Sequence, residues 1–288
     1  MLIPTSQKSR TAPTAVSSIV LPQSDIPKGV LGTVNSSTYH RWKRLWEVPL
    51  ALILAVPALS ITVVLIFLVR LTSRGPGLYQ QIRLGKDGKP FLMYKLRSMH
   101  VDAEERGAQW CCGDRDPRIT AVGRWLRKLH LDELPQIVNV IRGEMSFCGP
   151  RPERPEFVVK LEECIPYYRS RLVVRPGITG FSQINLPPDT SISDVHKKQA
   201  LDLEYVENAS LLSDLKMILC TALRLVGIPG ALATKLSGLS MQPSESRFSL
   251  IYDCEPREDA VSNLGLRGKK SAPAALSIDS EDLVLSDG

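Results

Sequence analysis

The stretch VPLALILAVPALSITVVLIFLV, residues 48–69, contains no charged side chain. As an α-helix rising about 1.5 Å per residue, its roughly 22 residues reach ~33 Å, enough to cross the hydrocarbon of a bilayer. A helix buried in a water-soluble core is the alternative, and an uncharged run of this length disfavours it. A cleaved export signal is disfavoured as well, because the run starts late and lacks a small-residue cleavage site. The segment therefore places the chain among membrane-inserted proteins.

How the helix enters the membrane turns on Pro57, near its middle. A proline there removes one backbone hydrogen bond and crowds the carbonyl four residues back, that of Ile53. In hydrocarbon that carbonyl needs another partner, and Ser60 and Thr62 are the nearby hydroxyls. Basic residues flank both ends: Arg41, Lys43 and Arg44 before the run; Arg70, Arg74, Arg83 and Lys86 after it. A straight span would put one basic cluster on the far side, against the positive-inside tendency. A helix bent at Pro57, entering and leaving by one face, keeps both clusters cytoplasmic. A tilted, kinked single span is the other reading, and both stay open, with re-entry as the expectation to test.

Outward from this helix, residues 1–38 are rich in Ser, Thr and Pro and are expected to be a disordered tail. Residues 39–72 form the membrane-associated unit, opened by the basic and aromatic YHRWKRLWE. Residues 73–227 form a cytosolic domain. Two strand-like runs flank Lys86-Asp87-Gly88-Lys89, which predicts a β-hairpin. Residues 100–117 are polar and loop-like, and Thr120 to Ile141 has helical periodicity. Within RITAVGRWLRKLH, Val122, Trp125, Leu126 and Leu129 share one helical face, with Arg124, Arg127 and Lys128 opposite. That pattern suits a helix lying on a membrane, or an ordinary surface helix on a core. The run RPGITGFSQIN reads as a turn leading into an extended piece. Lys197–Val226 reads as one helix, acidic early and apolar and basic at its end. Residues 228–288 are Ser-, Pro- and charge-rich and are expected to be a second tail. The fold class is thus α+β: a membrane-inserted, re-entrant, Pro-kinked helix with a small, mostly helical cytosolic catalytic domain containing a β-hairpin.

The net charge of +6 admits nucleic acid, anionic lipid or a phosphorylated substrate. Basic residues are scattered rather than striped and no aromatic stacking motif accompanies them, so nucleic acid is not expected as a partner. The six cysteines, at 111, 112, 148, 164, 220 and 254, make no CxxC pair and no Cys/His metal spacing. They read as reduced thiols with no structural zinc.

The chemistry concentrates in LHLDELPQIVNVIRGEMSFCGPRPE, residues 129–153, where Asp132 and Glu133 stand together among basic residues. Adjacent acids on a helix point about 100° apart, so they do not share a proton easily. They can flank one cation or divide two roles. Carboxylates are common ligands of Mg²⁺, which keeps several waters and binds substrate phosphates as well. Arginine grips phosphate oxygens bidentately, and an aspartate can be a covalent nucleophile. A DE pair alone is weak, since most such pairs are solvated helix acids; the surrounding segment gives it weight.

Four stretches, residues 73–99, 116–153, 175–185 and 201–218, together resemble the bacterial sugar transferases, the monotopic polyprenyl-phosphate phosphoglycosyl transferases, in order and spacing. The resemblance covers about residues 41–227. It implies transfer of a sugar phosphate from a UDP-sugar to a polyprenyl phosphate, usually undecaprenyl phosphate, with release of UMP. That step starts exopolysaccharide, O-antigen, capsule or glycan assembly. It implies Asp132 as the nucleophile, with Glu133 assisting through Mg²⁺ that both acids bind. Lys95, Arg97 and Arg127 are implied as substrate contacts, and Pro150-Arg151-Pro152 as a nucleotide-contacting turn. It also implies the inner, cytoplasmic membrane of a bacterium, the catalytic domain on the cytoplasmic face and contact with membrane lipid. A homodimer is one expectation for an otherwise open oligomeric state.

The sequence departs from the family's pattern in several places. Val56-Pro57 stands where Ser-Pro is usual, Glu47 where an Asp is usual, and Leu129-His130 before the catalytic segment where Thr-Ser is usual. The four-helix membrane region of longer relatives is not present, so the chain reads as a short form with two added tails. A non-catalytic scaffold of a polysaccharide assembly complex is the competing reading. The intact Asp132, Glu133, Arg127 and Arg151 argue against it.

Overall fold

The computed structural model describes residues 37–105, 116–165, 167–189 and 191–239. The tail expected at 1–38 falls almost wholly outside them, as do residues 240–288, part of the loop expected at 100–117, and Cys111, Cys112 and Cys254.

A single turn, α1 (Tyr39–Trp42), leads into α2 (Arg44–Thr72). Helix α2 is one uninterrupted helix across both Pro49 and Pro57. Helical structure therefore continues through Pro57, the position of the expected bend. The hydroxyls expected to relieve the Ile53 carbonyl do not reach it. Ser60 Oγ donates to Val56 O at 2.9 Å and Thr62 Oγ1 to Ala58 O at 2.7 Å. Each satisfies the carbonyl four residues before itself, the usual habit of a hydroxyl inside a helix.

One stripe of α2 is buried: Glu47, Ala51, Ala55, Thr62, Leu65 and Val69. Their spacing of three, four and seven keeps them on one face. Ala51 and Ala55 let the helix approach Met93, Ile137 and Val140 closely, and Leu65 and Val69 pack on Leu96 and Leu126. The opposite face is apolar and bare: Ile53, Val56, Val64 and Phe67 are all exposed. By length and composition α2 can cross a membrane. Its buried stripe runs nearly its whole length along the rest of the chain.

The predicted hairpin is present as β1 (Leu78–Leu84) paired antiparallel with β2 (Pro90–Leu96), in register Leu78↔Leu96 through Leu84↔Pro90. Asp87 and Gly88 take left-handed φ of 57° and 70° in the turn, as tight reversals require. Next comes α3 (Ala121–Lys128), capped by Thr120 Oγ1 accepting from Gly123 N at 2.9 Å. The helix expected through Ile141 breaks at His130, whose φ is 53°. A tight 3-10 segment, Leu131–Gln136, follows, and then α4 (Ile137–Arg142). Pro135 contributes to this break, since its ring disfavours a continuous α-helix. Leu126 of α3 is fully buried against α2, and of that apolar face Trp125 remains exposed. So α3 is chiefly a core-packed helix.

The second half starts with β3 (Ser146–Cys148) and α5 (Pro155–Cys164), with Pro155 at the first helical turn. A 3-10 turn, Tyr168–Val173, leads to β4 (Gly177–Thr179), which pairs parallel with β3. The extended piece expected in RPGITGFSQIN is the strand Gly177–Thr179, and a short helix that the sequence reading lacks, α6 (Phe181–Asn185), follows it. The single helix expected over Lys197–Val226 is two. Helix α7 (Ile192–Asn208) and helix α8 (Leu211–Leu225) each begin with a serine capping box, and the Ser210 cap ends any continuity. Beyond the expected boundary at 227 lies α9 (Gly230–Ser237), with Ala233 fully buried. It packs with Met217 and Cys220 of α8, so the folded body extends past Gly227.

Candidate active site

The two acids sit on the 3-10 segment after His130. In a 3-10 helix successive side chains lie about 120° apart. The two carboxyl groups accordingly meet different surroundings. Glu133 Oε1 accepts from Lys95 Nζ at 2.8 Å and from Arg151 Nη2 at 2.9 Å. Lys95 comes from β2 and Arg151 from the extended run after β3. Burial would raise the Glu133 pKa, but Lys95 and Arg151 outweigh it and hold the carboxyl well below the usual range.

Asp132 is the opposite case. It is buried, and among the described residues no cation lies within ion-pairing distance. Of the two acids standing among basic residues, the pairing belongs to Glu133. Burial pushes the Asp132 pKa up; Lys95, Arg127 and Arg151 oppose that from a distance, while Glu133 adds to it. The result is a carboxylate left free beside a neutralised neighbour.

Both acids, with Lys95, Arg127, His130 and Arg151, line one cavity of about 970 Å³. Arg127 Nε donates to Ser98 Oγ at 2.8 Å, which fixes its stem at the cavity wall. Arg97 also reaches this wall, but its terminal nitrogens are engaged elsewhere. Nη1 donates to Arg74 O at 2.6 Å, and Nη2 to Ser73 O and Oγ at 2.9 and 2.7 Å. Arg97 therefore fastens the C-terminal end of α2 at the cavity wall. Pro57 lies on the exposed face of α2, away from the cavity lining.

The Pro150-Arg151-Pro152 turn is framed through its backbone. Pro150 O accepts from Gly177 N at 3.0 Å, Arg151 O from Arg171 Nη2 at 3.0 Å, and Pro152 O from Arg83 Nη1 at 3.0 Å. Glycine is required beneath it, since a Cβ on Gly177 would lie 2.1 Å from Gly149 N. Behind the turn, Glu153 Oε1 accepts from Lys198 Nζ at 2.6 Å and from Arg171 Nη1 at 3.4 Å. Burial alone would raise the Glu153 pKa; Lys198, Arg171 and Arg83 bring it down to about 2. Arg171 also pairs with Asp202, and Lys198 with Asp189 at 2.8 Å.

Of these supporting residues the sequence reading names only Arg83, as a basic flank of the membrane segment, and gives no site role to Glu153, Arg171, Lys198 or Asp189. One signal was available: Lys198 and Asp202 lie four apart on α7, an unusual pair to find on a helix face that also buries Leu201 and Val206.

A second buried cluster holds the other end of α2. Lys43 Nζ lies 2.7 Å from Asp214 Oδ2 and donates to Cys148 O at 2.6 Å and Tyr205 Oη at 2.7 Å. Glu47 accepts from Ser146 Oγ at 2.6 Å and Phe147 N at 2.9 Å. Lys43, counted from sequence among the basic residues flanking the membrane segment, is thus buried in an ion pair.

As for a metal, no three of His, Cys, Asp and Glu converge to hold one unaided among the described residues. Asp132, which has no ion-pair partner among the described residues, and Glu133, whose Oε1 alone is engaged by Lys95 and Arg151, both line the cavity. That set fits an Mg²⁺ ion carried partly by substrate phosphates and water, which needs only one or two protein carboxylates.

Comparison with known proteins gives a consistent picture. The sequence model of a family described as bacterial sugar transferase matches residues 38–227. The chain is 40% identical over 192 residues to the UDP-N-acetylgalactosamine-undecaprenyl-phosphate N-acetylgalactosaminephosphotransferase of Aeromonas hydrophila, covering 66% of this chain and 45% of that protein. It is 38% identical over 182 residues to the UDP-glucose:undecaprenyl-phosphate glucose-1-phosphate transferase of Caulobacter vibrioides, covering 62% and 67%. It is 38% identical over 188 residues to the uncharacterized sugar transferase EpsL of Bacillus subtilis, covering 64% and 86%. The match thus spans less than half of the Aeromonas protein and most of EpsL.

Proposed function

From the premise that the chain belongs to the bacterial sugar transferase family, we propose that it transfers a sugar 1-phosphate from a UDP-sugar to undecaprenyl phosphate. The products are undecaprenyl diphosphate-sugar and UMP. One observation carries this reading: an unpaired, buried carboxylate, Asp132, at a cation-lined cavity on a body packed along a membrane-capable helix.

In the proposed mechanism, an Asp132 oxygen attacks the sugar-bearing phosphorus. A P–O bond to that carboxylate forms, the bond from the same phosphorus to the bridging oxygen breaks, and UMP leaves. The lipid phosphate then attacks the phosphorus, forms the new diphosphate bond and releases Asp132. Two displacements replace one difficult encounter of two anions. Glu133, held by Lys95 and Arg151, takes no proton and fixes those two cations where phosphate oxygens arrive. Arg127 adds a third cation at the wall. Mg²⁺ would be held by Asp132 and the free Glu133 oxygen, and would neutralise diphosphate charge.

Placement in the membrane belongs to the same proposal. Helix α2 is fastened to one body at both ends, by Lys43 and Glu47 at its start and by Arg97 at Ser73 and Arg74. A straight crossing would carry the packed body into the hydrocarbon with it. Entry and exit by one face, with the body at the cytoplasmic surface of the inner membrane, fits this fastening. The first step of an exopolysaccharide or related lipid-linked glycan is the role this reaction would have.

The test is incubation of the membrane-embedded protein with undecaprenyl phosphate and a panel of labelled UDP-sugars. Expected are UMP release, label in the lipid extract for at least one sugar, and label on the protein when donor is given alone. Full UMP release by Asp132→Asn, or no lipid-linked product with any donor, would overturn the proposal.

A further inference from the structure

The cavity has a wall that the transfer chemistry leaves unused. Tyr79, Gln81 and Arg83 are alternate residues of β1 and point to one face of the hairpin. Over β2 that face is covered, because Phe91 and Met93 pack with Ile137 and Val140. Over β1 it stays open, and all three side chains line the cavity. Two further groups reach the same wall, Glu104 from the run after β2 and Arg154 from just before α5.

Hydrogen bonds set the polarity of each group. Arg83 Nε and Nη2 donate to Gln81 Oε1 at 2.9 and 2.5 Å. A guanidinium only donates, so the amide oxygen is fixed on that side and Gln81 Nε2 on the other. Nε2 lies 3.2 Å from Tyr79 Oη and 3.5 Å from Glu104 Oε1, long contacts that use its protons weakly. Glu104 Oε1 accepts from Arg154 Nη1 at 2.8 Å. Its Oε2 accepts only from Tyr79 Oη among the described residues, at 3.1 Å. The Arg154 guanidinium lies over the Phe157 ring, 5.7 Å from its centroid, which holds it in place. Along the wall the order is thus donor, acceptor, donor: the Gln81 amide, the Glu104 carboxylate and the Arg154 guanidinium. The acceptor is reachable, since the Glu104 side chain is 37% exposed.

The edge of uracil carries the complement of that order: O4 accepts, N3–H donates, O2 accepts. Cytosine reverses two of the three, with an amino donor at C4 and an N3 that accepts. A sugar hydroxyl both donates and accepts, so it gains nothing from a fixed order. Position agrees with chemistry. Tyr79 is the cross-strand partner of Lys95, and such partners lie side by side on one face. Lys95 is one of the cations that hold Glu133 where phosphate oxygens arrive. Arg83 reaches the other, its Nη1 donating to the Pro152 carbonyl directly after Arg151. A base on this wall stands one ribose away from a diphosphate at those cations.

We infer that this wall reads the base of the donor nucleotide: Gln81, Glu104 and Arg154 pair with the edge of uracil, and the Tyr79 ring supplies a stacking face. The inference rests on the reading of the cavity as a UDP-sugar site and goes beyond it by assigning what tells uridine from cytidine.

Calorimetric titration of the full chain in nanodiscs with UDP and with CDP, neither carrying a sugar, tests it. UDP is expected to bind roughly ten- to hundred-fold more tightly, the discrimination a correctly paired base edge gives. Glu104→Gln, whose amide can turn a donor toward cytosine N3, should shrink that ratio several-fold. Tyr79→Ala should weaken UDP and CDP alike and leave the ratio in place, since stacking tolerates any base. Circular dichroism confirms that each variant is folded. Equal affinity for the two nucleotides, binding of neither, or a ratio unmoved by Glu104→Gln would each overturn the inference. An effect of Glu104→Gln on UDP-sugars but not on UDP would give the wall to the sugar and overturn it as well. Failure of the parent reading shows elsewhere, as absence of lipid-linked product from every donor, because these titrations involve no transfer.

Discussion

At the start of α2, Lys43 meets Asp214, Tyr205 and the Cys148 carbonyl, and its charge is closed off on every side by protein. At the cavity, Lys95 and Arg151 meet Glu133, while the adjacent Asp132 has no ion-pair partner among the described residues. Both clusters bury charge at a desolvation cost that close geometry must offset. The first spends all its hydrogen-bonding capacity internally and is a fastening. The second keeps one carboxylate and the outer side of Arg151 unspent, and that remainder is what a substrate can use. Unsatisfied capacity at a cavity is thus a better mark of a site than buried charge itself.

The largest expected effect comes from the open cluster. Asp132→Asn should reduce transfer to background, because an amide does not form the ester, while leaving folding intact, because no cation loses its partner. Labelled donor alone should then leave no label on the protein. The closed cluster predicts the reverse. Lys43→Met strands the buried Asp214 and should cost about 3–5 kcal/mol of stability, as breaking a buried pair does. Residual folded enzyme should keep its KM for donor. If Lys43→Met changed KM with little change in melting temperature, the cluster would be acting on the site and the contrast would fail.

Arg151→Lys probes the side where the open cluster touches both worlds. Lysine keeps the charge but gives up the planar fork, so it cannot hold Glu133 and a phosphate oxygen together. Loss of one hydrogen bond to a charged group is worth about 1.5–3 kcal/mol, roughly ten- to hundred-fold in kcat/KM. Thermal stability should move little, since the Arg151 side chain is 37% exposed. A variant with unchanged kcat/KM would remove Arg151 from the site.

Much of this contrast was legible in the sequence, and the reasons for the remainder are physical. The uncharged run at 48–69 and the hairpin around Asp87-Gly88 carry local signals, a length and a turn, that tertiary packing does not overturn. Asp132, Glu133, Lys95, Arg127 and Arg151 stand out by residue type within long shared motifs, and they line one cavity. Local patterning could not show which of two adjacent acids is paired, because Lys95 and Arg151 arrive from 38 and 18 residues away. Nor could it show the fastening that Arg97, implied by motif as a substrate contact, makes on Ser73 and Arg74. The periodicity from Thr120 to Ile141 hid the break at His130, whose left-handed backbone has no strong residue signature. Helix α8 was half visible, as an apolar and basic helix end. Its neighbour α9 was lost in a segment that reads as tail by composition.

The smallest expected effect separates the two clusters by pH. His40 lies against the closed one, its Nε2 3.1 Å from Val206 O and its ring edge-on to Tyr205. Burial first, and the nearby Lys43 second, lower its pKa from 6.5 to about 4. Between those values the unfolded chain binds a proton that the folded chain does not, so stability falls as pH drops from 6.5 toward 4. The Glu153 network behind the open cluster titrates lower. Its carboxyl is depressed from 4.5 to about 2, so its contribution is complete above 4.5 and is lost as pH falls toward 2. Acid should therefore loosen the fastening of α2 before it disturbs the frame of Arg151. Denaturation midpoints measured across pH 7 to 3 should show an upper limb that His40→Gln flattens and Glu153→Gln leaves in place. If His40→Gln left that limb unchanged, the upper transition would belong to another group and the ordering of the two clusters would not hold.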